Sequence, residues 1–122
     1  MKTTVIYHSA DFDGIFCREI AKKLLGEKDV EYIGWNHGDL FVRMPDEGVV
    51  YILDLSPDCL DASLVQTTIW SRIVWIDHHK SSIERFSKGE FSNSNIPGYR
   101  IDGVAACRLV WQWFTRKDCP IC

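Results

Sequence analysis

The sequence predicts an α/β domain built on a mostly parallel open sheet of four to five strands with helices on both faces. Three observations carry that expectation. Val5-Ile6-Tyr7, Val49-Val50-Tyr51-Ile52-Leu53 and Ile73-Val74-Trp75-Ile76 are apolar runs of the length of short buried strands. Segments whose apolar residues recur near every 3.6 positions, about 14–25 and 103–115, have the pattern of helices packed on a sheet. Finally, each apolar run stops on an acid or an imidazole: His8, Asp54, and Asp77-His78-His79. If the strands are parallel neighbours, these groups share the rim at their carboxyl ends, where open α/β sheets bind ligands.

Taken in order, the first strand leads into a helix over about 14–25, with Asp13 at the position of an N-cap and Gly26 at that of a C′ glycine. Val30 to Gly34 alternates as a second strand, and Trp35 to Glu47, rich in Gly, Asp and Pro, is a loop. Within that loop His37 reads as a solvated residue, although Trp35 to Asp39 is placed to reach a ligand. A third strand over about 49–54 precedes Ser56-Pro57-Asp58, a helix start with proline near N1, and a short helix over 58–67. The fourth strand, about 72–77, is followed by one or two helical turns at 81–86 and a polar loop at 87–98. A weak fifth strand is expected near Tyr99-Arg100-Ile101. The last helix, about 103–115, carries a broad apolar face of Val104, Cys107, Leu109, Val110, Trp111 and Phe114, with Asp102 as its cap.

A chain of 122 residues is read as one domain, and 46% hydrophobic with 25% charged residues excludes disorder and a fibrous architecture. With 17 acids against 14 bases the net charge is −3, which argues against holding long duplex nucleic acid by neutralising many phosphates. A small anionic substrate remains compatible, because bound divalent cations reverse the potential of an acidic pocket. No apolar run approaches a membrane span, and Met1-Lys2-Thr3-Thr4 enters a strand directly, so no membrane partner and a cytoplasmic location are expected. Five scattered cysteines fit reduced thiols; Cys119 and Cys122 have the spacing of half a zinc knuckle but lack a second pair.

The rim collects His8, Asp11, Asp13, Asp54, Asp77, His78 and His79. Carboxylates packed this closely raise one another's pKa unless cations neutralise them. Mixed carboxylate and imidazole ligation without thiolate suits manganese, magnesium or iron better than structural zinc. An aspartate between the two halves of such a cluster, the place expected of Asp54, is able to bridge two ions about 3.5–4 Å apart, a spacing that supports in-line displacement at phosphorus.

Three motifs carry a family resemblance: His8-Ser9-Ala10-Asp11-Phe12-Asp13-Gly14, Ile52-Leu53-Asp54-Leu55 and Ile76-Asp77-His78-His79, with Gly103-Val104-Ala105-Ala106 before the last helix. Over nearly its whole length the chain resembles the N-terminal domain of the DHH phosphoesterase superfamily, which includes RecJ-type exonucleases, nano-RNases, cyclic-dinucleotide phosphodiesterases and manganese-dependent pyrophosphatases. The resemblance implies two Mn²⁺ ions, with Mg²⁺ as a substitute: His8 and Asp11 on one, Asp13 and His78 on the other, and Asp54 bridging. It further implies that a hydroxide between the ions attacks phosphorus, that His79 faces the substrate phosphate, and that Asp77 fixes a neighbouring imidazole. The implied substrate is a small nucleotide or a short single-stranded oligonucleotide. Members of the superfamily usually add a further aspartate ligand downstream and a C-terminal substrate-gripping domain; neither is found here, so the expectation is a domain truncated at its C-terminus, with Asp102 or Asp118 as substitutes for the ligand. Two other readings fit the same residues: a catalytically weak nucleotide- or metal-binding module, and a homo-oligomer or other complex in which a partner completes the site, Trp111 and Trp113 offering the contact surface.

Overall fold

The structure, a computed structural model, describes residues 2–60, 72–88 and 96–116. Four strands, β1 (Thr3–His8), β2 (Val30–Trp35), β3 (Val50–Leu53) and β4 (Ile73–Ile76), form one sheet in the order β2-β1-β3-β4. Every pairing in it is parallel. Among the described residues three α-helices accompany them: α1 (Phe12–Leu25), α2 (Lys80–Ser87) and α3 (Ala106–Thr115). The chain is therefore of the α/β class, with the parallel open sheet that the apolar runs predict.

Strand side chains alternate between faces, and both faces are covered. Val5, Tyr51, Leu53, Val74 and Ile76 pack with Cys17 and Ala21 of α1 and Leu109 and Val110 of α3. Small buried residues at Gly14, Cys17 and Ala21 let α1 lie close to its neighbours. The opposite face, Ile6, Val50, Ile52, Ile73 and Trp75, is covered by Trp35, Met44, Leu55, Cys59, Leu60, Ile96 and, from α2, Phe86. Among the described residues Trp75 is the largest fully buried side chain; its indole Nε1 donates to the Leu55 carbonyl at 2.6 Å and its ring meets Phe86 edge-on. That bond pins the backbone immediately after Asp54.

Three expectations are corrected in detail. Residues Pro57–Cys59 form a single 3₁₀ turn and Leu60 bridges to Val42; the rest of the expected 58–67 helix, most of the 87–98 loop, and Cys119 and Cys122 lie outside the described residues. In place of a regular fifth strand, residues 97–101 run beside β4 with one bridge, Asp77 to Arg100. Pro97 has no N–H to give, and Gly98 adopts φ +133 so close to Trp75 that a Cβ there would sit 1.9 Å from its carbonyl oxygen. The last helix begins at Ala106, later than the expected 103, and Asp102 is exposed and does not cap it. Among the described residues, no helix is long and apolar enough to cross a membrane.

Candidate metal centre

Register places the site. Tyr7, Leu53 and Ile76 lie in line across β1, β3 and β4, so the next residues, His8, Asp54 and Asp77, emerge side by side at the carboxyl ends. β2 and β3 flank β1 on opposite sides, which puts the topological switch point between β1 and β3, where such sheets bind ligands. His8 and Asp54 stand on either side of it. The turn from β1 into α1 then delivers Asp11 and Asp13, and the turn from β4 into α2 delivers His78 and His79.

Asp54 is the centre of the cluster. It is fully buried and adopts φ +60, a left-handed conformation that costs a non-glycine residue energy and is borne most easily by Asp or Asn. Its Oδ2 lies 3.5 Å from His8 Nδ1, and its Oδ1 lies 3.0 Å from His78 Nε2 and 4.0 Å from His79 Nδ1. With Asp54 ionised, neither oxygen has a hydrogen-bond donor among the described residues, and His8 Nδ1 and Asp77 Oδ2 are likewise without a partner. Buried polar atoms left so are costly and demand an explanation.

Two groups with metal-ligating spacing meet on this one carboxylate. His8, Asp11 and Asp54 form the first, and Asp54, Asp77, His78 and His79 the second; within each, one ligand atom per residue lies within 4.8 Å of all the others. His8 Nδ1 is 3.2 Å from Asp11 Oδ2. His78 Nε2 is 3.3 Å from Asp13 Oδ2, so Asp13 borders the second group. A cation in each group would supply the partners that Asp54 lacks, and the donors, carboxylate and imidazole without thiolate, suit hard or borderline divalent ions.

Electrostatics point the same way. Burial, followed by the neighbouring charges of Asp13 and Asp11 and a hydrogen bond shared with Asp11, pushes the Asp54 carboxyl up to about 9. Burial also raises Asp77, against the pull of His79 and the backbone N–H groups of His78 and His79. For Asp11, partial burial is outweighed by the Gly14 N–H and by Asp54 and His8, and its carboxyl is held below the usual range. Without a cation, then, Asp54 keeps a proton on folding that it loses on unfolding. The sign follows: the folded pKa lies above the unfolded one, so stability is greatest below about 4 from this group and is lost as pH rises toward 9. In chelator, urea unfolding at pH 5, 7 and 9 is expected to show stability falling by up to ~1.4 kcal/mol per pH unit. Asp54→Asn is expected to flatten that slope, and a level wild-type profile would remove the electrostatic argument.

Asp77 and Asp13 have roles that the geometry makes explicit. Asp77 Oδ1 accepts from the His78 and His79 backbone N–H groups at 2.8 and 3.3 Å and lies 2.6 Å from His79 Nδ1. The imidazole it orients is therefore His79, whose side chain is 44% exposed and leaves Nε2 free of that contact. The cap of α1 is not Asp13, as the sequence suggested, but Asp11, whose Oδ1 accepts from Gly14 N at 2.8 Å. Asp13 instead accepts from Ala106 N at 3.0 Å and Cys107 N at 2.9 Å, capping α3 from more than ninety residues away. One carboxylate thus ties the edge of the cluster to the N-terminus of the last helix. Asp13→Ala is expected to cost the metal-free protein about 1–2 kcal/mol, read as a lower urea midpoint in chelator; an unchanged midpoint would mean that the cap contributes nothing.

His37, expected as a solvated loop residue, is exposed but packs edge-on against His8, with ring centroids 5.9 Å apart, and against Trp35 at 5.5 Å. Neither periodicity nor motif spacing gave that contact; the only signal was the position of residues 35–39 directly after a strand.

No family model matches this chain, and no curated protein does. Among solved structures, the chain is similar to an uncharacterized protein from Helicobacter pylori G27, with a TM-score of 0.63 and 16% identity over 99% of this chain. The chain spans 38% of the length of that protein. At this identity the likeness is one of fold.

Proposed function

We propose that the chain is a metal-dependent phosphohydrolase or phosphodiesterase that takes two Mn²⁺ ions, with Mg²⁺ as a substitute, and acts on a small nucleotide or a short single-stranded nucleic-acid phosphoester. The observation that carries this reading is Asp54, buried, with each oxygen facing a different imidazole and, when ionised, no hydrogen-bond donor for either among the described residues. His8, Asp11 and Asp54 would hold one ion, and Asp54 and His78 the other, with Asp13 and Asp77 beside it. Two cations sharing a carboxylate supply charge stabilisation for in-line displacement at phosphorus. The protein's own groups do the rest. Asp77 fixes the His79 ring so that its outer nitrogen meets a phosphoryl oxygen, and the apolar strands beneath keep the cluster's floor dry. The sequence motifs shared with the DHH phosphoesterases support the same chemistry.

A second reading, a nucleotide- or metal-binding module with weak turnover, draws on Asp13, whose two oxygens are already engaged by α3. Incubation of the folded protein with Mn²⁺ and, separately, short oligonucleotides, a cyclic dinucleotide, a 3′,5′-bisphosphonucleotide and pyrophosphate separates the two. Manganese-dependent release of product from one of them is the expected result. Binding by calorimetry with no product from any would favour the module, and neither binding nor product would end both readings.

A further inference from the structure

Resting on the phosphoester reading above, we infer that His37 is a substrate-contacting residue whose imidazole donates a hydrogen bond to a phosphoryl oxygen from the β2 side of the cluster. All four histidines of the chain gather at this one rim. Three of them, His8, His78 and His79, have a ring nitrogen within 4.0 Å of a carboxylate oxygen. Those contacts commit them to the candidate ions or to Asp77. Among the described residues His37 has no such contact, and its ring stands exposed against His8.

The loop that holds it is built rather than loose. Trp35 Nε1 donates to the Leu40 carbonyl at 3.0 Å, closing residues 35–40 into one turn. Inside it, Asn36 N donates to Asp39 Oδ2 at 2.9 Å, His37 N to Asn36 Oδ1 at 2.8 Å, and Asp39 N to the Asn36 carbonyl at 2.9 Å. A surface loop of this kind has met much of its ordering cost before any ligand arrives, which favours affinity at the residue it presents.

Position and chemistry give the contact its use. His37 follows β2 and His79 follows β4, the first and last strands in the order β2-β1-β3-β4, so the two imidazoles flank His8 and Asp54 from opposite sides of the rim. A phosphoryl group presents several peripheral oxygens, and the carboxylates of Asp11, Asp13, Asp54 and Asp77 can donate to none of them when ionised. Imidazole N–H groups at either end supply what the carboxylates lack.

Calorimetry on manganese-saturated protein tests this with inorganic phosphate and adenosine 5′-monophosphate as probes. His37→Ala is expected to retain wild-type Mn²⁺ affinity while losing about tenfold in affinity for both probes, the size of one hydrogen bond to a charged acceptor. His37→Gln, which keeps an N–H donor, is expected to recover most of the loss. Equal phosphate affinity in wild type and His37→Ala would overturn the inference and leave the phosphoester reading standing. A fall in Mn²⁺ affinity that accounts for the phosphate loss, or no recovery with Gln, would reduce His37 to packing and overturn it as well. Wild-type protein that takes up Mn²⁺ but neither probe would overturn both.

Discussion

Asp54→Asn will lose at least about a hundredfold in affinity for Mn²⁺ at both positions while becoming more stable than wild type in chelator at neutral pH. The first effect follows from removing the one group that, among the described residues, is common to the two candidate ligand sets. Replacement of a shared anionic ligand by a neutral one weakens both sets at once, and losses of 10–100-fold are already typical for groups that merely support a ligand. The second effect has the opposite sign and is the more diagnostic. In the metal-free fold Asp54 is a buried carboxyl in a left-handed conformation, pushed up to about 9 by burial, by the charges of Asp13 and Asp11 and by the hydrogen bond it shares with Asp11. An amide is neutral in both states and needs no proton uptake on folding, and its NH₂ is able to donate toward His8 Nδ1 or Asp11. A residue kept for stability would not improve the fold when neutralised; one kept to bind cations at the expense of the empty fold would. Calorimetric Mn²⁺ titration and urea unfolding of the same preparation give both numbers. Asp54→Asn protein that binds two ions normally, or that unfolds earlier than wild type in chelator, would contradict the role assigned to this carboxylate.

Gly14→Ala will destabilise the fold by about 3 kcal/mol or more and disorder the cluster with it. A Cβ at residue 14 would lie 1.8 Å from the His8 carbonyl oxygen and 2.9 Å from the His8 Cβ. The obstacle is backbone in β1, not the end of a flexible side chain, so relief requires α1 to move away from the strand; overpacking of this kind costs 1–3 kcal/mol and at times more. The helix start also carries Asp11, whose capping bond is to the Gly14 N–H itself, and Asp13, which holds α3. Displacing residue 14 therefore shifts two members of the cluster and the far helix together. A lowered urea midpoint accompanied by weaker Mn²⁺ binding is expected. Wild-type stability would show that β1 and α1 are not packed as described.

Much of this was legible in the sequence, for identifiable reasons. The apolar runs of β1, β3 and β4 are short and abruptly bounded, and parallel strands buried on both faces are continuous in that way. The stop of each run on His8, Asp54 or Asp77 gave the rim, and the structure brings those residues together with Asp11, Asp13, His78 and His79. What could not be read is tertiary. Strand order leaves no trace in local pattern, so the switch point between β1 and β3 emerges only from the pairing. Asp102 has cap chemistry immediately before an apolar stripe, and nothing local reveals that Asp13 reaches across to Ala106 and Cys107 instead. His37 looks like a loop residue because it is one; its place against His8 depends on how β2 pairs with β1.

Whether Asp54 is shared by two divalent cations is tested most directly by anomalous diffraction at the manganese edge from crystals grown with Mn²⁺. Two peaks are expected within bonding distance of the Asp54 carboxylate, one beside His8 and Asp11 and the other beside His78. Manganese-loaded crystals with no peak touching Asp54 would contradict the account.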